Sequence, residues 1–164
     1  MFERYTEKAR RIIFFARYEA SQYGTPYIEI THFLFGLMRE YYPTIRAVSK
    51  IEPAGLRQAL EPLCPKREEK IATSVDLPMS HPCRRVLGFA AEEAERMGHP
   101  HIGPEYLLLG VLRESSPEAA VLGGLGISLE RAREAFRALT PIRSRKGLAG
   151  WSDRRRRPMR SQYC

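Results

Sequence analysis

The side chains in this 164-residue chain that could do chemistry are its histidines, its cysteines and its clustered charges. His81, His99 and His101 lie in one stretch, but His99 and His101 flank Pro100 and no acid–histidine spacing matches a metal motif. Cys64, Cys83 and Cys164 are far apart, with no Cys-x-x-Cys, so neither a zinc site nor a disulfide framework is expected. Cys64 precedes Pro65 and Cys83 follows Pro82, and neither has a histidine at a spacing that would make it a nucleophile. His32 falls in the first turn of an apolar-faced helix, where a packed or capping ring is expected. Glu92, Glu93 and Glu95 read as the charged face of a long helix. No Gly-x-x-x-x-Gly-Lys-Ser/Thr occurs, so no ATP hydrolysis is expected. The residues therefore predict no enzyme, no cofactor and no metal.

Charge is the next candidate. The formal net charge is +8, but from Pro141 onward there are eight basic residues and one acid. The remaining 140 residues carry 19 basic and 18 acidic side chains. The body is thus nearly neutral, and the basic character belongs to a tail containing Arg154, Arg155, Arg156 and Arg157. That tail could meet nucleic-acid phosphates or an acidic protein surface. No recognition helix or aromatic platform stands beside it, since Trp151 and Tyr163 are too few. There is no apolar run long enough to span a membrane and no signal-peptide core, which makes the cytoplasm the expected compartment.

The elements that must position these groups come from an internal repeat. Residues 6–40 slid by 74 positions fall on 80–114, with 13 of 35 pairs identical. The doublet Arg10-Arg11 recurs as Arg84-Arg85, Gly24 as Gly98, Pro26 as Pro100 and Gly36 as Gly110. The doubling makes all four arginines docking candidates. The match resumes near Ile51 and Ile127 after a two-residue insertion.

Ala9, Ile12, Ile13, Ala16, Ala20 and Tyr23 recur at helical spacing after a capping Thr6, and Gly24 can end that helix. The second copy runs from Ser80 to Met97. Second helices are predicted over 31–40 and 105–114, third helices over 43–50 and 117–123, and fourth helices over 54–63 and 129–139. Gly36 and Gly110 interrupt good helix formers, which suggests close helix–helix approach. The predicted fold is all-α: two tandem, pseudo-symmetric four-helix repeats in one compact domain. Repeat one covers about 1–64, a charged linker 65–79 and repeat two about 80–140. The body thus covers 1–142, and a basic, flexible tail covers 143–164.

The opening Met1-Phe2-Glu3-Arg4-Tyr5-Thr6-Glu7-Lys8-Ala9-Arg10-Arg11 resembles the amino-terminal (Clp repeat) domain of bacterial Clp ATPases, the ClpC kind most closely. Tyr27-Ile28-Glu29-Ile30-Thr31-His32-Phe33-Leu34 resembles that family's helix-opening segment, and His101-Ile102-Gly103-Pro104-Glu105-Tyr106-Leu107-Leu108 is its second copy. The resemblance covers about residues 1–140 and lacks the ATPase modules.

It implies a non-enzymatic domain that docks substrates or adaptors, with Clp ATPase, Clp protease subunits, and adaptor or substrate proteins as partners. The chain is then either a stand-alone Clp-repeat protein, the reading favoured here, or a fragment of a longer one. ClpC-like members bind phosphorylated arginine through a Glu at the start of each second helix. The matching positions are Thr31 and Glu105, so the first copy has lost its acid and the second keeps it. One weak pocket is expected, with no pocket at all as the alternative, and Thr31→Glu is expected to create a second if the rest of that pocket survives. The Thr31 hydroxyl is expected to cap its helix. The alternative is a small helical nucleic-acid-associated protein acting through its arginine tail.

Overall fold

Thr6 and Ser80 do the same work 74 residues apart. In the computed structural model, which describes residues 2–139, each takes an extended backbone, and its hydroxyl accepts an N–H three residues on. The donors are Ala9 (3.2 Å) and Cys83 (3.4 Å). These caps satisfy amides that a helix start leaves unpaired. Helix α1 (Glu7–Tyr23) follows Thr6 and α4 (His81–Arg96) follows Ser80. Gly24 and Gly98 come after them with φ of 69° and 72°.

Each first helix buries one narrow stripe of small residues. In α1 it is Ala9, Ile12, Ala16 and Ala20, and in α4 it is Cys83, Val86, Ala90 and Ala94, all at 0% exposure. Against these stripes lie α2 (Ile30–Arg46) and α5 (Pro104–Arg113). The closeness has a specific cause. A methyl group on Gly36 would stand 2.5 Å from the carbonyl oxygen of Ile12, and one on Gly110 would stand 2.3 Å from that of Val86. The expected close approach is therefore backbone against side-chain-free backbone. The central helices α2 and α5 pack on each other and on the opposite repeat's first helix. Residues 30–38 are all buried as a result.

The two repeats exchange short extended segments. Tyr5 pairs with Ile102 and Met79 with Ile28, each as an isolated parallel bridge. The Thr6 N–H donates to the Ile102 carbonyl and the Ser80 N–H to that of Ile28, both at 3.0 Å. A 74-residue shift converts one bridge into the other, so the halves are related by a pseudo-twofold axis. These two bridges are the only extended pairing among the described residues.

The remaining elements are α3 (Pro53–Leu60), a 3-10 turn (Glu61–Leu63), α6 (Pro117–Gly124) and α7 (Leu129–Leu139). The third helix of repeat one is shorter than predicted and is fused to α2. Tyr41 leaves helical geometry (φ −147°, ψ 66°), Pro43 starts a new turn, and the helix ends at Arg46 rather than Lys50. The predicted fourth helix 54–63 ends at Leu60, because Pro62 has no N–H to continue an α pattern. The expected linker is fastened to α1. The Arg67 N–H donates to the Tyr23 carbonyl (3.0 Å) and the Ile71 N–H to the Ser21 carbonyl (2.9 Å). The predicted basic tail, with Trp151 and Arg154 to Arg157, lies outside the described residues.

Glu93 is not part of a solvated face, as the sequence suggested. It is 1% exposed and accepts from Arg133 (2.6 and 3.0 Å) and Arg113 (3.2 Å). Burial pushes its pKa up, but the Arg133 hydrogen bond and the charges of Arg133, Arg96 and Arg113 bring it below the ordinary carboxylate value. Glu19 repeats the arrangement with Arg57 (2.9 Å) and Arg39 (4.0 Å). Each cluster ties three helices of one repeat, and a buried carboxylate is tolerated only when paired in this way.

His32 is packed, as expected. Its Nδ1 accepts the Glu29 N–H (3.0 Å), so the neutral ring carries its proton on Nε2, facing Cys64 Sγ (3.2 Å) and Thr25 Oγ1 (3.4 Å). Burial lowers its pKa from 6.5 to about 4, while burial and the charges of Glu29 and Glu118 push the Cys64 thiol up to about 11. The dyad-related pair is His99 with the Tyr106 hydroxyl, so histidine and hydroxyl have exchanged places.

Two outcomes follow for stability. Gly36→Ala and Gly110→Ala should each destabilise by about 1–3 kcal/mol despite alanine's better helix propensity. Gly88→Ala, with nothing within 4 Å of the new methyl, should stabilise by about 0.5–1 kcal/mol in the same urea titration. Equal effects at all three would contradict the packing. For His32, the unfolded ring takes up a proton below about 6.5 while the folded ring resists until about 4. Its contribution is therefore complete above pH 6.5 and falls by about 3 kcal/mol on acidification to pH 4. His32→Gln should flatten the stability–pH curve in that window, and an unchanged slope would show that the ring titrates normally in the fold.

Candidate functional site

The docking residues proposed from sequence separate into three places. Arg10 and Arg84 are brought together across the pseudo-dyad, on a groove of about 860 Å³ between α1 and α4 that Arg17 and Asp76 also line. Its floor includes Tyr5, Ile13, Met79 and Leu87, and Phe14 stands 62% exposed at its side. Arg10 Nε donates to the Phe2 carbonyl (3.2 Å). An apolar floor between guanidinium groups can hold an apolar side chain flanked by acids. Arg11 and Arg85 point elsewhere. Arg11 pairs with Glu7 (2.5 Å) and Glu40 (3.3 Å), and Arg85 forks onto Glu114 (2.7–3.2 Å). They tie the first helix of each repeat to the end of the second.

Thr31 does not cap its helix. Glu29 occupies the N-cap position, and Thr31 is fully buried with its hydroxyl donating to Glu118 Oε1 at 2.7 Å. Glu118 stands in the first turn of α6, in the other repeat. A carboxylate thus faces position 31 after all, delivered from across the molecule. Thr31→Glu would press a second buried carboxylate against Glu118.

Glu105 lies in the first turn of α5 and lines a groove of about 480 Å³. Tyr41 and Pro43 from the broken part of α2, with Ala47 just beyond its end, form one wall, and Phe136 and Leu139 of α7 form the other. The carboxylate folds back over Gly103, where a methyl group would stand 2.5 Å from Oε1. Burial raises the pKa of Glu105. A hydrogen bond from its own backbone and the charges of His99 and Lys8 oppose that rise. Lys8 rests on the face of Tyr41, 4.2 Å from the ring centre. The groove therefore combines a half-buried acid, apolar walls and a nearby cation. Sequence reasoning missed Glu118 and Thr44, although the same 74-residue offset relates them to each other and Thr31 to Glu105.

Among the described residues no group of three or more His, Cys, Asp or Glu could hold a metal ion, and no helix is long and apolar enough to cross a membrane. Comparison with known proteins points in one direction. The ATP-dependent Clp protease ATP-binding subunit ClpA homolog of Guillardia theta is 36% identical over 137 residues, covering 81% of this chain and 16% of that protein. The negative regulator of genetic competence ClpC/MecB of Bacillus subtilis (strain 168) is 34% identical over 140 residues, covering 82% of this chain and 17% of that protein. The chain thus spans about a sixth of the length of these curated relatives.

Among solved structures, the N-terminal domain of the caseinolytic protease associated chaperone ClpD from Arabidopsis thaliana superposes with a TM-score of 0.68 at 30% identity, covering 85% of this chain and 97% of that one. The Hsp104 N-terminal domain from Candida albicans shares the fold, with a TM-score of 0.67 at 19% identity over 84% of this chain and 91% of that one. Residues 4–138 match the model of the Clp repeat (R) N-terminal domain, a non-catalytic module. With two dyad-related helical repeats and this match over most of its length, the chain belongs to the Clp repeat N-terminal domain family.

Proposed function

We propose that this chain is a non-enzymatic docking module of a Clp-type chaperone–protease system. Its double-repeat body, residues 1–142, receives substrates or adaptors, and Clp ATPase and Clp protease subunits are its further partners. In this reading the Glu105 groove takes the side chain of a phosphorylated arginine.

The observation that carries the proposal is the company Glu105 keeps. A planar guanidinium pairs best with a carboxylate that can accept a fork of N–H groups. Its aliphatic stem favours apolar walls, which Tyr41, Pro43 and Leu139 supply. Its phosphate favours a cation, and Lys8 is held on Tyr41 at the edge of the same groove. The dyad groove with Arg10 and Arg84 offers a second docking face for a partner with apolar and acidic side chains.

Calorimetric titration of the full chain with phosphoarginine tests the pocket, with arginine and inorganic phosphate as controls because the tail arginines attract phosphate. Saturable binding is expected, with amide shift changes confined to residues 41–47 and the start of α5. Glu105→Gln should weaken it about ten- to a hundredfold, the worth of a hydrogen-bonded charge. No saturable binding at millimolar ligand, or unchanged affinity in Glu105→Gln, would overturn the pocket.

A further inference from the structure

The pseudo-dyad lets the two halves be compared position by position as far as Pro43 and Pro117, which each open a new helical turn 74 residues apart. Position 31 corresponds to 105 and position 44 to 118. The pair Thr31–Glu118 in one half is therefore the counterpart of Thr44–Glu105 in the other. The chemistry is the same with the partners exchanged, as in the pairs Thr25–His32 and His99–Tyr106. The two pairs differ in state. The Thr31 hydroxyl donates to Glu118 at 2.7 Å. The Thr44 hydroxyl, on a residue 4% exposed, is the one buried side-chain polar atom among the described residues with no hydrogen-bond partner. Thr44 and Glu105 line the same groove, yet Glu105 is turned back on its own helix end.

We propose that Thr44 is the positioning residue of the Glu105 site. When a guanidinium enters, Glu105 leaves its helix end and accepts the Thr44 hydroxyl, as Glu118 accepts that of Thr31. The hydroxyl then fixes one carboxylate oxygen, and the other oxygen with the remaining lone pairs meets the N–H fork of the ligand. The free protein holds a buried hydroxyl unpaired, a standing penalty that is relieved when the site fills. Thr44 thereby makes binding selective for a group that can draw Glu105 out, namely a planar cation. This rests on the docking reading above.

The test uses the full chain with Thr44→Val, which keeps the shape and removes the hydroxyl, and Thr44→Ser, which keeps the hydroxyl. Urea denaturation without ligand and calorimetry with phosphoarginine are run on each. Thr44→Val should be at least as stable as the wild type, since it removes an unpaired polar atom, yet bind about three- to tenfold more weakly. Thr44→Ser should bind within about twofold of the wild type. A merely structural role predicts the opposite link, in which affinity falls only when stability does. Wild-type-like affinity in Thr44→Val, or Thr44→Ser as weak as Thr44→Val, would overturn the role of Thr44 and leave the docking reading standing. Thr44→Val less stable than the wild type would show that the hydroxyl is already paired in the free protein. No binding by the wild type would overturn the docking reading and this role with it.

Discussion

The contact of helix backbones at Gly36 and Gly110 governs this structure. With carbonyl oxygens of the first helix 2.5 and 2.3 Å from where a methyl would sit, the first and second helices of each repeat cannot be separated by a side chain. The second helices are then enclosed, because each also meets the other repeat's first helix and its own counterpart. Enclosure decides the fate of every polar group on them. His32 must stay neutral and share its ring nitrogens with the Glu29 amide, Cys64 and Thr25. Thr31 must find an acceptor, and it finds one on the other repeat.

The scaffold is close to symmetric and its chemistry is not. The pairs Arg11–Glu40 and Arg85–Glu114 and the two bridges survive the 74-residue shift, and the clusters around Glu19 and Glu93 survive it once the two-residue insertion before Arg133 is allowed for. These interactions hold helices together and tolerate little change. At the helix starts that face grooves, residue types have instead been exchanged between the halves. One half has a satisfied threonine–glutamate pair, and the other has a threonine without a partner and a glutamate folded on itself. A duplicated fold can diverge in this way because a donor and an acceptor may trade positions with no change in the helices that carry them.

Much of this was legible in the sequence. Thr6, Ser80, Gly24 and Gly98 mark helix ends by local chemistry, and the stripes of Ala9 and Cys83 follow from periodicity alone. The recurrence of Gly36 and Gly110 inside good helix formers points to close packing. What was not legible depends on residues arriving from afar. Glu93 looked like surface because helix spacing tells which face a residue shares, and it says nothing of two arginines converging from two other helices. Thr31 looked like a cap because its partner lies 87 positions away. The break at Tyr41, which shapes the Glu105 groove, falls between two predicted helices, and Pro43 is its local signal, since a proline has no N–H and its ring crowds the preceding turn.

The claim that one dyad-related site is closed and the other open is tested most directly by a pair of double-mutant cycles in the ligand-free protein. One cycle combines Thr31→Val with Glu118→Gln, and the other combines Thr44→Val with Glu105→Gln, with unfolding free energy read from urea titrations. The first pair should show a coupling of about 1.5–3 kcal/mol, as for a buried hydrogen bond to a charge, and the second a coupling near zero. Couplings of equal size in the two halves would contradict the account.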